Sequence, residues 1–132
     1  MVIFDSSILV DDLRTGCHGQ RIAALDELVR TSAVVLAELW RGATKPREQA
    51  LLRTLERNYP ILTPTENNWL ESGRILAEIH ADQGFEPHKL RDLHFDVLIA
   101  LTARTYGACL ITSNRADFEL IRGYRDFKLE VW

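Results

Sequence analysis

The chain has 132 residues, 46% of them hydrophobic, enough for one globular domain with a real core and too few for several. A formal net charge of -3 and a pI of about 5.8 argue against a DNA-coating protein. They leave a nucleic-acid substrate open, because an acidic metal-binding cluster would itself lower the net charge.

Cys17 and Cys109 are too few and too far apart for a disulfide scaffold or a zinc site, and Cys109 reads as a reduced core residue. No wholly apolar run exceeds that of Val97 to Leu101, far short of a membrane span. With Asp5 so early and no basic segment before it, no signal peptide is expected, and the protein reads as soluble and cytoplasmic.

The first stretch is the one the rest serves. Val2-Ile3-Phe4 runs straight into Asp5-Ser6-Ser7, a buried strand ending in a carboxylate and two hydroxyls. In an open parallel sheet, ligands bind beyond the carboxyl ends of the strands, so a central strand here delivers a negative charge to that site. Ser6 to Leu13 then reads as a short helix with Ile8 and Leu9 inward, and Arg14 to Gly19 as a loop. Ile22, Leu25, Leu28 and Val29 recur at helical spacing and predict a helix over Gln20 to Arg30. Thr31 to Val34 reads as a short buried strand, and Val35 to Gly42 as a helix carrying Glu38.

Pro46 suits the first turn of another helix, whose apolar stripe is Leu51, Leu52 and Leu55. Pro60-Ile61-Leu62 predicts a strand that is short or at an edge. Thr65 to Gln83 predicts the longest helix, with Trp69, Gly73, Leu76 and His80 near one face and Gly84 as its stop. Glu86 to Leu90 reads as a loop. Asp92 to Tyr106 reads as a helix, apolar nearly all round from Val97 to Ala103 and hence buried. Ala108 to Ile111 is a predicted strand, Asn114 to Ile121 a short helix, and Phe127 to Val131 a last strand. Strands separated by helices imply βαβ crossovers. The expectation is an α/β fold: a three-layer α/β/α sandwich, one domain over residues 1–132, around a mostly parallel sheet of about five strands.

Four acids stand at analogous places. Asp5 ends the first strand, and Glu38 is expected in the first turn or so of the helix after the second. Asp96 is expected near the start of the buried helix, and Asp117 follows the end of the Leu110-Ile111-Thr112 strand. A helix dipole helps hold such carboxylates ionised. The small apolar face of Ile99, Ala100 and Ala103 would bring the Asp96 helix close to the sheet. Singly, each acid is more often structural: Asp5 and Asp117 as caps, Glu38 as a solvated acid, Asp96 as a partner for Arg91 or Arg104. Together they favour a metal site, since converging carboxylates need a compensating cation. An oxygen-only ligand set suits Mg²⁺ or Mn²⁺ rather than zinc. Ser6 or Ser7 would steady a metal-bound water or merely begin a helix. Asp92, four residues before Asp96 on the same helix side, would join the pocket or start the helix. His80, His88 and His94 lack zinc spacing and read as packing or loop residues. Trp40, beside Glu38, reads as core or as part of a partner surface.

These residues carry a resemblance. The windows FDSSILVD, SAVVLAELWRGA, DVLIALTARTYGACLITSNRADF and FKLEV resemble a PIN-domain ribonuclease, specifically a VapC-type toxin. That family shows Asp then Ser/Thr and Ser/Asn at the first strand end, and a Glu-Leu pair with Gly soon after. It continues with an Asp opening D-x-x-I-A, and closes on Thr-x-Asn/Asp-x-x-Asp/His-Phe. All four recur here in order, across essentially the whole chain. The resemblance implies RNA endonuclease activity, a homodimer, and inhibition by a VapB-type antitoxin. It implies Asp5, Glu38 and Asp96 as catalytic, metal-holding acids, with Thr112 and either Asn114 or Asp117 completing the pocket. Many relatives place the fourth acid two residues after the Thr, where this chain has Asn114. Asp117 then takes that role, or the site works with a neutral amide. Arg14, Arg41, Lys45, Arg47, Arg91 and Arg115 flank the pocket as candidates for RNA phosphates.

The reading is Mg²⁺- or Mn²⁺-dependent hydrolysis of RNA, with no side-chain nucleophile. An aspartyl phosphatase with Asp5 as nucleophile is a second reading, but that class wants another Asp two residues on, where Ser7 stands. A third is an inactive binding module whose acidic pocket holds a partner's arginine.

Overall fold

A sheet of five strands grows from both sides of the first one, β1 (Val2–Phe4), in a computed structural model describing residues 1–132. In chain order, β1 is followed by α1 (Ser6–Thr15), α2 (Gly19–Ala23), β2 (Val29–Ser32), α3 (Ala33–Gly42) and α4 (Pro46–Asn58). Then come β3 (Ile61–Leu62), α5 (Glu66–Gln83), α6 (Pro87–Tyr106), β4 (Cys109–Thr112), α7 (Arg115–Arg122) and β5 (Lys128–Val131). The order across the sheet is β3-β2-β1-β4-β5, and every pairing is parallel. The sheet expected to be mostly parallel is parallel throughout, because each connection contains a helix rather than a hairpin turn. No helix is long and apolar enough to cross a membrane.

This order matters for function. From β1 the chain moves outward through β2 to β3, then crosses back to place β4 on β1's other side. The carboxyl end of β1 is therefore the topological switch point, where an open α/β sheet has its binding crevice. Side-chain alternation sorts β1 between two layers. Ile3 joins the larger core with Val35, Ile75, Leu98 and Phe118, while Val2 and Phe4 meet Ile8 and Ile111 on the opposite face.

Three predicted boundaries move, each for a local reason. The helix expected over Gln20 to Arg30 is only α2, and β2 starts at Val29. Val29 pairs with Val2 in the ladder, and Val2 N–H donates to Leu28 O at 2.9 Å, so backbone pairing overrides the helical spacing. β2 ends at Ser32 because its buried hydroxyl caps α3, accepting from the N–H groups of Val34 and Val35. The loop expected over Glu86 to Leu90 is the first turn and more of α6, with Pro87 opening the helix as it can at that position.

The buried face of α5 is also different. Trp69 is 51% exposed, and the inward residues are Asn68, Ser72, Ile75 and Ile79. Two of these are polar and satisfied. Asn68 forms a reciprocal cap with Thr65 and donates to Thr105 Oγ1 at 3.0 Å; Ser72 donates to Trp69 O and meets His94 Nε2 at 3.1 Å. A pattern of apolar residues alone misses such a seam. β3 is short and lies at an edge, as its flanking prolines predict.

Candidate metal centre

The site is built at the carboxyl end of β1. Asp5 N–H donates to Ile111 O at 2.9 Å, which fixes Asp5 beside the end of β4. Asp5 precedes α1 in extended conformation, yet its side chain does not cap that helix. Instead Oδ2 accepts from the hydroxyls of Ser7 and Thr112, each at 2.8 Å. The other oxygen, Oδ1, is buried with no partner, in a residue only 3% exposed. Of the two serines the sequence offered, Ser7 is the one that reaches the carboxylate. Its Oγ also accepts from Ser113 N–H at 3.1 Å, and Thr112 Oγ1 accepts from Asn114 N–H at 2.9 Å. A hydroxyl pair thus ties two adjacent strand ends together and aims one face of Asp5.

Glu38 and Asp96 come from α3 and α6. Neither lies where the sequence placed it relative to its helix. Glu38 is in the middle of α3, and the early start of α6 puts Asp96 near its centre. Helix dipoles therefore do little for either charge. Burial and repulsion dominate instead. The pKa of Glu38 is raised from 4.5 to about 7, first by burial and then by Asp5, with Arg41 opposing. That of Asp96 is raised from 3.8 to about 8 by burial and by the charges of Asp5, Glu38 and Asp117, with Lys89 opposing. Glu38 Oε1, like Asp5 Oδ1, is buried and unpartnered.

Asp117 is placed differently. Its Oδ1 pairs with Lys89 Nζ at 3.1 Å, and its Oδ2 accepts from Asn114 Nδ2 at 3.1 Å. Asn114 Oδ1 in turn accepts from Asp117 N–H at 3.4 Å and caps α7. Both Asp117 oxygens are engaged, whereas Asp5 and Glu38 each keep a bare one.

The structure draws no three of these side chains into a ready-made cage for an ion. Their chemistry nevertheless fits one. Two buried carboxylate oxygens lack partners in a protein where such groups are ordinarily satisfied. Their neighbours are further carboxylates, which raise the cost of every charge. An oxygen-only set of this kind suits a hard dication.

Residues 2–123 match the profile of the PIN domain. The chain belongs to the PIN-domain family. A search of curated protein sequences finds no match. Among solved structures, it is similar to VapBC2 from Rickettsia felis bound to a promoter DNA fragment: TM-score 0.74 and 22% identity, over 100% of this chain and 99% of that one. VapBC-1 from nontypeable Haemophilus influenzae gives 0.72 and 23%, over 100% and 98%. DNA-bound VapBC from Salmonella typhimurium gives 0.74 and 22%, over 100% and 99%.

In this PIN domain several sequence candidates stand apart from the acids. Asp92 is exposed, and His88 is an exposed partner of Glu86. His80 bonds the Phe85 carbonyl, and His94 packs on Ser72 and Trp69. Trp40 bridges α3 to α4 through Glu56, with Arg53 over its ring. Lys89 was missed, because its stretch read as a loop. The signal that would have found it is its spacing from Asp96, about two helical turns along one face.

Thr112→Val tests the hydroxyl pair. It removes the donor to Asp5 Oδ2 and the acceptor for Asn114 N–H, both buried or half-buried. Urea denaturation should show a loss of about 1–3 kcal/mol, the usual cost of unsatisfied buried polar groups.

Proposed function

We propose that this PIN domain is a Mg²⁺- or Mn²⁺-dependent endoribonuclease, acting as the toxin of a type II toxin–antitoxin pair. The observation that carries the reading is the pair of buried, unpartnered oxygens, Asp5 Oδ1 and Glu38 Oε1, beside Asp96 at the switch point of the sheet. These three acids are the proposed holders of the metal. A bound dication would supply Lewis acidity at the scissile phosphate and an acidified water.

The chain's own residues do the rest. Ser7 and Thr112 fix the rotation of Asp5, so that Oδ1 rather than Oδ2 is left for a cation. Burial keeps water from screening the acids, which strengthens their hold on a cation once they are ionised. Choice of RNA as substrate follows the resemblance in the four sequence windows. A VapB-type antitoxin is the proposed partner, supported by the VapBC complexes among the similar folds. A homodimer is the proposed assembly, on the resemblance alone. An arginine from the antitoxin would suit the acidic pocket, since its planar fork matches carboxylates in bidentate geometry.

The test uses purified protein and single-stranded RNA. Cleavage with Mg²⁺ or Mn²⁺, abolished by EDTA, is the expected result. Induced expression should arrest growth and be relieved by a small co-expressed partner. Metal-independent cleavage, or none under any condition, would overturn the reading.

A further inference from the structure

Lys89 is a cation set beside the acids of the proposed metal site. It lies on α6, about two turns before Asp96 and on the same side of that helix. Its Nζ is 3.1 Å from Asp117 Oδ1 on α7, and its charge is felt at Asp96. The same ammonium also lies over the Phe85 ring, with Nζ 6.0 Å from the ring centroid. Holding a long side chain in one place costs entropy. Here an aromatic face and a carboxylate meet that cost from two sides.

The pairing divides the four acids into two kinds. Asp5 and Glu38 keep buried oxygens with no partner. Both oxygens of Asp117 are already engaged, one by Lys89 and the other by Asn114. An entering dication finds free oxygens at the first pair and a resident cation at Asp117. An ammonium has three donors, and Asp117 uses one. The Lys89 side chain is 37% exposed, so it is within reach of a strand arriving from solvent. A phosphodiester strand approaching four carboxylates is repelled unless a positive charge meets it. Lys89 provides that charge at a fixed point.

We propose that Lys89 binds a backbone phosphate of the substrate strand, and that Asp117 is its counterion and a positioning residue rather than a metal ligand. This rests on the nuclease reading above. It makes two separable statements: one about phosphate, read by salt dependence, and one about metal, read without any turnover.

The experiment compares wild type, Lys89→Met, Lys89→Arg and Asp117→Asn as full chains. Mn²⁺ affinity is measured by electron paramagnetic resonance. Binding of a fluorescein-labelled single-stranded RNA of mixed sequence is followed by anisotropy, with Ca²⁺ replacing the catalytic ion, across a series of salt concentrations. Lys89→Met should weaken RNA binding about tenfold, the loss of one charge-assisted hydrogen bond. Its slope of log affinity on log salt should be shallower by about 0.7, one phosphate contact on a single strand. Lys89→Arg should restore that slope. Asp117→Asn should leave Mn²⁺ affinity unchanged and weaken RNA binding less than Lys89→Met. An unchanged slope in Lys89→Met, with wild type binding both Mn²⁺ and RNA, overturns the phosphate role alone. A large loss of Mn²⁺ affinity in Asp117→Asn overturns its assignment as counterion. Wild type that takes up neither Mn²⁺ nor RNA removes the nuclease reading and this inference with it.

Discussion

Asp5→Asn and Asp96→Asn are each expected to leave the protein folded while lowering metal-dependent RNA cleavage by roughly a hundredfold or more. Both substitutions are nearly isosteric, so little packing is lost. In Asp5→Asn the amide oxygen still accepts from Ser7 and Thr112, and the nitrogen replaces the unpartnered Oδ1. What disappears is the charge and the free oxygen. In Asp96→Asn the change removes the acid whose charge is most opposed, by burial and by three neighbouring carboxylates. Its melting temperature near neutral pH, without divalent ions, should therefore rise by several degrees. A mutant that is more stable and far less active is the signature of a site holding charge against the fold's preference. Circular dichroism and a cleavage assay with and without EDTA check both halves. Wild-type rates in either mutant, with EDTA having no effect, would sink the metal hypothesis.

The carboxyl end of β1 was legible in the sequence because two independent signals coincide there. A short apolar run must be buried, and the polar residues that end it must then lie at the edge of the sheet. Five strands and their helical connections follow from the same alternation. Asp5 is read this way, from the strand end itself, whereas Thr112 enters through the resemblance of its Thr-x-Asn-x-x-Asp-Phe window. Glu38 and Asp96 were found as residues but misplaced within their helices. Pro87 is compatible with either a loop or a first helical turn, and only its packing decides. That one ambiguity hid Lys89 and placed a mid-helix acid, Asp96, near the helix start. The α5 seam failed for another reason. Asn68 and Ser72 are inward because they are hydrogen-bonded to Thr105 and His94, and those residues lie far away in sequence. The choice of Ser7 over Ser6 likewise depends on Thr112 being brought beside it. Contacts between distant polar residues leave no periodicity to read.

The pH dependence should be steep, and of opposite sign for activity and for stability. Glu38 and Asp96 have pKa values raised to about 7 and about 8, and they interact, so the apparent values belong to the set of acids. Holding a dication requires both to be ionised. Cleavage and Mn²⁺ affinity should therefore fall as pH drops from about 8 to about 6, and more steeply than the tenfold per pH unit of a single proton. For folding without metal the sign reverses. Between about 4 and about 8 the folded protein holds protons that the unfolded chain has released. The stability that these groups contribute is fully present below that window and is lost as pH rises through it. Other ionic contacts change over the same range, so the clean quantity is the melting temperature of Asp96→Asn minus that of wild type. It should be small near pH 4, grow with pH, and be largest at about pH 8 and above. Mn²⁺ should then close the gap by stabilising wild type alone, because binding to the folded state adds to its stability. A difference that stays flat with pH, or Mn²⁺ raising both melting temperatures equally, would mean that Asp96 is not a buried acid awaiting a cation.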